Sequence, residues 1–318
     1  MAEQRTFADL AWTGKGKVTR REKFLAEMDA VIPWETFLQR IEPYYPKPGN
    51  GRPPLGLEKM LRIYFLQQWF DLSDPGAEEA LYDSESMRRF VRIDLGEDVI
   101  PDESTILKFR HLLEQHELTE ALFTEVNALL EKQGIFIKTG TIVDATIINA
   151  PTSLKNKDKQ RDPEMGSTQK SNSWHFGLKV HIGTDKQGLV HSLSVTSASA
   201  SELGEMGCLL HGDELELFGD KAYSNQELQQ QAEQHGVHYR VNRRGNKHHK
   251  LPVHWERKNR KRSQIRARCE YPFLVVKRFW GFRKVRYRGL AKNRVRVYAA
   301  FALANLYQVR RRLPSLRA

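Results

Sequence analysis

The sequence predicts an α+β protein, in which a helical N-terminal domain precedes a mixed α/β domain that ends in helices. As far as about Lys132, apolar residues recur at spacings of three and four, the pattern of a buried helix face, and strand signals are nearly absent. After Gly134 the chain changes to β-branched runs. At 318 residues the chain is long enough for two cores. We therefore expect two domains, residues 1–134 and residues 135–318.

In the N-terminal part, Thr19 and Asp102 are placed as helix N-caps, and residues 57–70 have the composition of one buried helix. The Pro- and Gly-rich segment 46–54 separates this helix from a first helical pair. Shorter helices are predicted at residues 75–82, 85–93 and 102–115. Short helices joined by tight turns fit a helix-turn-helix that reads DNA, and they fit a helical packing domain equally well. Both interpretations stay open.

The second part begins with strands predicted at residues 135–148, 174–184 and 189–196, the last two joined by a turn at residues 185–188. The polar segment 152–173 is expected to be a mobile loop. Further elements are a strand at 215–220, a helix at 225–235, a strand at 237–241, a flexible basic stretch at 245–262, and long helices at 263–279 and 290–312.

The charge of the chain is unevenly distributed. Residues 240–318 contain 25 lysines and arginines against two acids, Glu256 and Glu270, so the charge of this quarter is about +23. Since the net charge of the whole chain is +12, the remaining residues together carry about −11. Aromatic side chains lie between the basic ones, at Phe279, Trp280 and Phe282. A basic surface with interleaved aromatics suits a nucleic-acid backbone better than it suits a merely solvated face.

Two aspartates stand out because each follows or interrupts an apolar strand. Asp144 lies within the run at residues 140–148, and Asp220 ends the run at residues 215–220. A lone buried carboxylate is costly unless a positive charge lies against it, and a metal ion would provide one. A single aspartate at a strand end is more often a cap or turn residue, but two on separate strands favour a shared site.

Glu270 is the third candidate, in a predicted helix with Arg266 four residues before it and Lys277 seven after. The alternative is an ordinary surface Arg–Glu pair. Pro272 predicts a helix start or kink at this point, which a plain surface pair does not need.

From residue 25 to residue 306 the sequence resembles the DDE transposases of the insertion-sequence-five group, whose catalytic core is ribonuclease-H-like. The spacing of Arg266, Glu270 and Lys277 resembles the family signature Tyr-x2-Arg-x3-Glu-x6-Lys, although Ser263 stands where the signature has Tyr. The other matching blocks are Gly51-Arg52-Pro53-Pro54, Pro101-Asp102-Glu103-Ser104-Thr105-Ile106, Val143-Asp144-Ala145-Thr146-Ile147-Ile148, Trp174-His175-Phe176-Gly177-Leu178-Lys179 and Gly219-Asp220-Lys221-Ala222-Tyr223.

The resemblance implies that three acids bind the catalytic metal and that several neighbours contact DNA or support the transition state. The metal ligands would be Asp144, Asp220 and Glu270. The supporting residues would be Arg266, Lys277, Arg278, Tyr223 and Lys179. His175 lies in a matching block, but a histidine between two aromatic residues of a strand is more often a packed or hydrogen-bonded residue.

The expected cofactor is Mg²⁺, replaceable by Mn²⁺, with two ions per site, because hard cations prefer oxygen ligands and two ions about 3.5–4 Å apart stabilise both oxygens of an in-line displacement. The expected partners are the terminal inverted repeats of the element and the target DNA. Two ends must be held together, so a homodimer or a higher oligomer is expected on DNA.

The same residues are compatible with two other functions. The triad would also serve a metal-dependent nuclease without strand transfer, and the basic surface would serve a DNA-binding regulator descended from a transposase. A zinc peptidase is excluded, because His111 and His116 are five residues apart and a zinc-binding His-Glu-x-x-His needs four. Two cysteines and no apolar run approaching the roughly 20 residues of a membrane helix predict a soluble protein of the cytoplasm. Because its expected partner is DNA, the protein is expected to be associated with the nucleoid.

Overall fold

The computed structural model describes residue 12 and residues 14–49, 53–155, 159–170, 172–245 and 250–313. The helical region contains seven α-helices within these residues. They are α1 (Arg20–Val31), α2 (Trp34–Ile41), α3 (Leu57–Phe70), α4 (Asp74–Asp83), α5 (Glu85–Val91), α6 (Glu103–Gln115) and α7 (Leu118–Lys132). The predicted segment 46–54 joins α2 to α3, and its residues 50–52 lie outside the described residues.

Both predicted N-caps are confirmed. The Thr19 hydroxyl accepts from the Glu22 amide at 3.2 Å, and the Glu22 carboxylate accepts from the Thr19 amide at 3.1 Å, which completes a capping box at α1. Asp102 accepts from the Thr105 amide at 2.7 Å at the start of α6. Helix α3 has the predicted bounds, and the side chains from Met60 to Trp69 are buried.

A six-stranded sheet follows. Its strands are β1 (Gly140–Asn149), β2 (Gly166–Lys170), β3 (Ser173–Thr184), β4 (Val190–Ser197), β5 (Glu216–Phe218) and β6 (His238–Tyr239). Strand β3 pairs antiparallel with β1 on one edge; on its other edge it pairs antiparallel with β2 over its first residues and with β4 over the rest. On the far side of β1, β5 and then β6 add in parallel.

This topology is ribonuclease-H-like. When the short β2 is set aside, the strands run across the sheet as third, second, first, fourth and fifth, in the order β4, β3, β1, β5, β6. The first three are antiparallel, and the last two are parallel to the first. The predicted hairpin is confirmed, and Gly188 takes a φ of +87° in its turn, which a glycine adopts without strain.

Further helical elements are α8 (Gln226–Gln234), α9 (Val253–Arg266), α10 (Glu270–Leu274), a π-helical turn (Val275–Phe279) and α11 (Leu290–Val309). Short 3₁₀ helices lie at Glu42–Tyr44, Met206–Leu209, Lys221–Tyr223 and Ala267–Cys269. The prediction of one unbroken helix at 263–279 is therefore wrong. Pro272 has no amide hydrogen for the helical ladder, so the helix changes its winding on both sides of Glu270.

Two predicted loops contain regular structure. The segment 152–173 was expected to be mobile throughout, but residues 166–170 form β2, because β3 extends beyond β4 and offers a free edge to pair with. The segment 245–262 was expected to be flexible, but α9 begins within it at Val253. Arg, Lys and Gln are good helix formers, so high charge does not prevent a helix. Residues 156–158, 171 and 246–249 lie outside the described residues.

Helix α11 joins the helical region to the sheet. Asn305 accepts from the Val190 amide at 2.9 Å, donates to the Val190 carbonyl at 2.7 Å, and donates to Asn127 on α7 at 3.1 Å. The Tyr298 hydroxyl donates to the carbonyl of Leu193 on β4 at 3.1 Å. Apolar side chains of both regions form one continuous core around this helix. Among the described residues, no helix is both long and apolar enough to cross a membrane.

Candidate active site

The parting of strands β1 and β5 brings two of the predicted acids to one place. The last residue pair between these parallel strands is Ile142 with Phe218. Asp144 and Asp220 each lie two residues beyond that pair, so they occupy equivalent positions where the strands separate. Their charges are close enough that Asp220 raises the pKa of Asp144. The opening between two parting strands of an α/β sheet is a common place for a ligand.

Asp144 is the more enclosed of the two. Its carboxylate accepts from the Arg266 guanidinium at 2.6 Å, from the Ala145 amide at 2.8 Å and from the Cys269 thiol at 3.2 Å. Burial raises the pKa of Asp144, and Arg266 opposes that effect. The Arg266 guanidinium therefore favours the ionised form of a carboxylate whose burial disfavours that form.

Asp220 also acts as a cap. Its Oδ1 accepts from the Ala222 amide at 2.6 Å at the start of the 3₁₀ helix Lys221–Tyr223. Through Oδ1, Asp220 therefore has the capping role that is common for an aspartate at the end of a strand. Oδ2 makes no hydrogen bond with any other described residue, which leaves it available to a ligand.

Glu270 reaches this place through Arg266. The side chain of Glu270 is 60% exposed, and its Oε1 lies 3.1 Å from Arg266 Nη2, while Arg266 Nη1 bonds Asp144. Burial alone would lower the pKa of Arg266, but Asp144 and the neighbouring acids raise it overall. One guanidinium therefore bridges two of the three predicted acids.

The donor types suit a hard divalent cation, since the three predicted ligands offer only carboxylate oxygens. Among the described residues, however, no three side chains of His, Cys, Asp or Glu are close enough together to hold a metal ion. The cation in that place is the guanidinium of Arg266, between Asp144 and Glu270. Metal binding would therefore require Arg266 to release Asp144.

Of the supporting residues expected from the sequence, Lys277 lies close to Asp144 and Arg278 faces solvent. Lys277, in the π-helical turn, donates to the Thr146 hydroxyl at 3.0 Å and to the Ile147 carbonyl at 2.9 Å, so it lies against β1 just beyond Asp144. Arg278 beside it is exposed and makes no hydrogen bond or ion pair with the described residues. His175 bonds Asn149 at 3.3 Å and contacts none of the three acids.

Lys179 and Tyr223 are buried rather than open to DNA. Lys179 is 6% exposed and donates to the Ala200 carbonyl at 2.7 Å. The Tyr223 hydroxyl is fully buried and has no hydrogen-bond partner among the described residues. Burial raises the pKa of this phenol, and the charges of Glu202, Asp144 and Asp220 raise it further, so its ring lies among the acids.

Glu202 is an acid of this site that the sequence reasoning missed. Its Oε1 lies 3.6 Å from Lys179 Nζ. Burial raises the pKa of Glu202, Lys179 opposes this, and the charges of Asp220 and Asp144 raise it again. Its one sequence signal is an acid shortly after a predicted strand, which is too common to single out a residue.

Part of the charge of the basic C-terminal quarter is paired within the molecule. Of its 25 lysines and arginines, four arginines form ion pairs with acids of the helical region. The pairs are Arg286 with Asp71, Arg294 with Glu120, Arg296 with Asp71 and Arg310 with Glu27. The charge available to a partner is therefore smaller and more localised than the sequence count suggests.

Comparison with known proteins agrees with the resemblance found in the sequence. The family described as "Transposase domain (DUF772)" matches residues 14–112, and "Transposase DDE domain" matches residues 136–306, which is more than half of the chain. A solved structure titled "Crystal structure of the Mos1 Strand Transfer Complex" is 14% identical, with 78% of this chain and 86% of that chain covered and a TM-score of 0.20. The ribonuclease-H-like fold rests instead on the strand order and directions of the sheet. The two family matches together span the helical region and the sheet, and the chain belongs to the DDE transposases of the insertion-sequence-five type, which cleave DNA and transfer its strands.

Proposed function

We propose that Asp144, Asp220 and Glu270 are the catalytic acids of this transposase and hold two Mg²⁺ ions, for which Mn²⁺ can substitute. The observation that carries this assignment is the equivalent position of Asp144 and Asp220 at the parting of β1 and β5, with Arg266 linking Asp144 to Glu270. Divalent metal ions are the general cofactors of the family. When bound, they supply positive charge to the attacking and leaving oxygens at phosphorus.

The remaining residues act on the DNA and on the acids. Once released from Asp144, Arg266 would be free to bind an oxygen of the scissile phosphate, for which a guanidinium is well suited. Lys277, tied to β1 beside Asp144, would place a second cation at the same phosphate. Tyr223 and Lys179 support the acids from the buried side. Arg278 extends the basic surface outward.

One site can serve both steps of transposition. Hydrolysis frees a 3′-hydroxyl at the end of the element, and transesterification joins that hydroxyl to target DNA. Each step displaces one oxygen from phosphorus in line with the incoming oxygen. The same acids and cations therefore suffice, and no covalent bond between protein and DNA is needed.

We propose residues 1–134 and residues 135–318 as a division of function, in which the helical region recognises the terminal inverted repeats or joins protomers and the sheet domain performs the chemistry. On α6 the exposed side chains of Ser104, Lys108 and His111 recur at spacings of four and three, so they share one outward face. The protein would act as a homodimer or higher oligomer on nucleoid DNA in the cytoplasm, because two ends must be held at once.

The experiment uses the full-length protein, Mg²⁺ and duplex DNA that carries the ends of its element. Asp144→Asn, Asp220→Asn and Glu270→Gln should each abolish cleavage and joining, mapped as 3′-hydroxyl products. DNA binding in the presence of a chelator should be unchanged or tighter, because an acid beside phosphates has been removed. Glu227→Gln, at an exposed acid of α8, is the matched control and should keep full activity.

The assignment fails for any of the three residues whose variant cleaves and joins DNA within about tenfold of wild type. A tenfold change corresponds to only about 1.4 kcal/mol in the barrier, too little for a metal ligand.

A further inference from the structure

A cavity of about 240 Å³ between the end of β6 and helix α9 is lined by a cluster of cations around Trp255. The Arg243 guanidinium lies 3.7 Å from the centre of the indole ring, the Lys258 ammonium 4.5 Å and the Arg262 guanidinium 5.5 Å. Cations over the face of a tryptophan are attracted by the ring quadrupole. Trp255 therefore holds three like charges together without neutralising them.

The backbone around this cavity is fixed. Asn259 of α9 accepts from the Arg243 amide at 3.1 Å and donates to the Arg243 carbonyl at 3.0 Å. Arg262 donates to the Val241 carbonyl at 2.6 Å, and Asn242 donates to the Ser263 hydroxyl at 2.9 Å. Helix α9 and the chain after β6 are thus joined by three bonds between side chain and backbone and by one between side chains, and the cations project from a preorganised frame.

Within the described part of the chain, the three cations around Trp255 are not neutralised by a contacting acid; Glu233 also lines the cavity, but its carboxylate accepts from Gln229 at 2.8 Å. Among the described residues, Arg243, Lys258 and Arg262 form no ion pair with an acid. Arg240, which also lines the cavity, is 3.4 Å from Glu216. Burial lowers the pKa of Arg262, and the charges of Arg240 and Arg243 lower it further, so these guanidiniums repel one another. Like charges held this closely favour an anion between them.

The cluster is in line with the proposed catalytic acids. Lys258, Arg262 and Arg266 follow one another at intervals of four residues on α9, so they share one face and advance by about 6 Å at each step. Arg266 bonds Asp144 and Glu270. Each strand of duplex DNA carries one phosphate per roughly 3.4 Å of its axis, so a row of cations about 12 Å long can reach more than one phosphate of a strand.

We propose that the cavity between β6 and α9 binds the backbone phosphates of the DNA strand that flanks the scissile phosphate, through Arg243, Lys258 and Arg262. This inference rests on the proposed function only for its direction, because Arg266 marks the active-site end of the row. The ligand is a phosphodiester chain, read by charge and not by base sequence. The site would hold the strand while Arg266 and Lys277 act at the reacting phosphate.

The first test compares two pairs of substitutions that remove equal charge. Arg243→Gln with Lys258→Gln removes two cations of the cavity, whereas Arg257→Gln with Arg260→Gln removes two exposed cations from the opposite side of α9. Binding of a short fluorescent duplex is measured in chelator as a function of salt. The cavity pair should reduce the slope of log affinity against log salt by about 1.8, because each lost phosphate contact removes about 0.9. The control pair should leave the slope near the wild-type value.

The second test locates the contact. In a Cys208→Ser background, the thiol of Lys258→Cys should exchange with a mixed disulfide tethered to a backbone phosphate of duplex DNA, so that a protein–DNA disulfide forms and the small leaving thiol is released, and Arg260→Cys should not. The proposal is overturned if both charge pairs flatten the salt dependence equally, if the cavity pair leaves it unchanged, or if Arg260→Cys crosslinks as well as Lys258→Cys.

Neither test requires metal or cleavage, so its outcome is separate from that of the catalytic acids. A cavity that binds DNA in a protein whose Asp144→Asn variant still cleaves would contradict only the catalytic assignment. Acids that are essential in a protein whose cavity pair binds DNA normally would contradict only the present proposal.

Discussion

Arg266→Gln should raise the affinity of the DNA-free protein for divalent metal while it lowers DNA cleavage. In the structure the Arg266 guanidinium lies 2.6 Å from Asp144 and 3.1 Å from Glu270, where it neutralises two of the proposed ligands. If these acids bind a metal ion as proposed, the ion would have to displace the guanidinium from Asp144. Glutamine keeps a polar side chain as far as the position of the arginine Nε, and it removes the guanidinium group with its competing charge.

The size of the effect follows from the exposure of the pair. Breaking a fully buried ion pair costs about 3–5 kcal/mol, and an exposed pair contributes about 0–1 kcal/mol. The side chains of Arg266 and Asp144 are 23% and 16% exposed, and Glu270 is 60% exposed. We therefore take the cost of displacement as about 1–3 kcal/mol, which corresponds to metal binding about 5–150-fold tighter in the variant.

The assay is a titration of DNA-free protein with Mn²⁺, followed by electron paramagnetic resonance of the free ion. Arg268→Gln is the matched control, because it removes the same charge two residues away, where the guanidinium donates to the Lys186 carbonyl at 2.6 Å and contacts no acid among the described residues. Cleavage by Arg266→Gln should fall about 100-fold or more, the cost of losing a charged donor at a reacting oxygen. Metal affinity no higher than that of the Arg268→Gln control would refute this reasoning.

Three further outcomes are expected. Glu202→Gln should increase the metal concentration needed for half-maximal cleavage, because it removes negative charge beside Asp144, and an unchanged requirement would limit Glu202 to holding Lys179. Leu303→Ala, in buried α11, should cost about 2–5 kcal/mol and shift one thermal transition of the whole chain; a shift confined to an early transition would show that the two regions unfold separately. Burial lowers the pKa of His191 from 6.5 to about 4. As the pH falls, this histidine is therefore protonated in the unfolded chain before it is protonated in the folded protein. The free energy of unfolding should be undiminished above about pH 6.5 and fall by up to about 1.4 kcal/mol per pH unit toward pH 4, and urea unfolding of His191→Asn should show a shallower slope.

The sequence by itself determined the local features. Helix α3 and the caps Thr19 and Asp102 could be predicted because helix periodicity and capping depend on residues only a few positions apart. Asp144 and Asp220 could be singled out because each lies within or at the end of an apolar strand, where burying an unpaired carboxylate costs free energy. The signature around Glu270 was visible as a spacing within one segment.

Only the tertiary structure decided which of these groups meet. Asp144 lies beside Asp220 because Ile142 pairs with Phe218, a parallel register between distant segments that no local pattern encodes. The same holds for Glu202, which lies near those acids through the path of the chain after β4 rather than through any motif.

The charge of the chain shows the difference most clearly. The sequence contains a basic quarter and an acidic remainder, but it does not reveal that Arg296 pairs with Asp71 and Arg310 with Glu27. Nor does it reveal that Arg243, Lys258 and Arg262 converge on Trp255 and, within the described part of the chain, form no ion pair with an acid. The interaction of two charges depends on their distance and on the solvent around them, and both are set by the fold. Composition therefore gives the amount of charge, and the tertiary structure decides which part of it remains free to bind DNA.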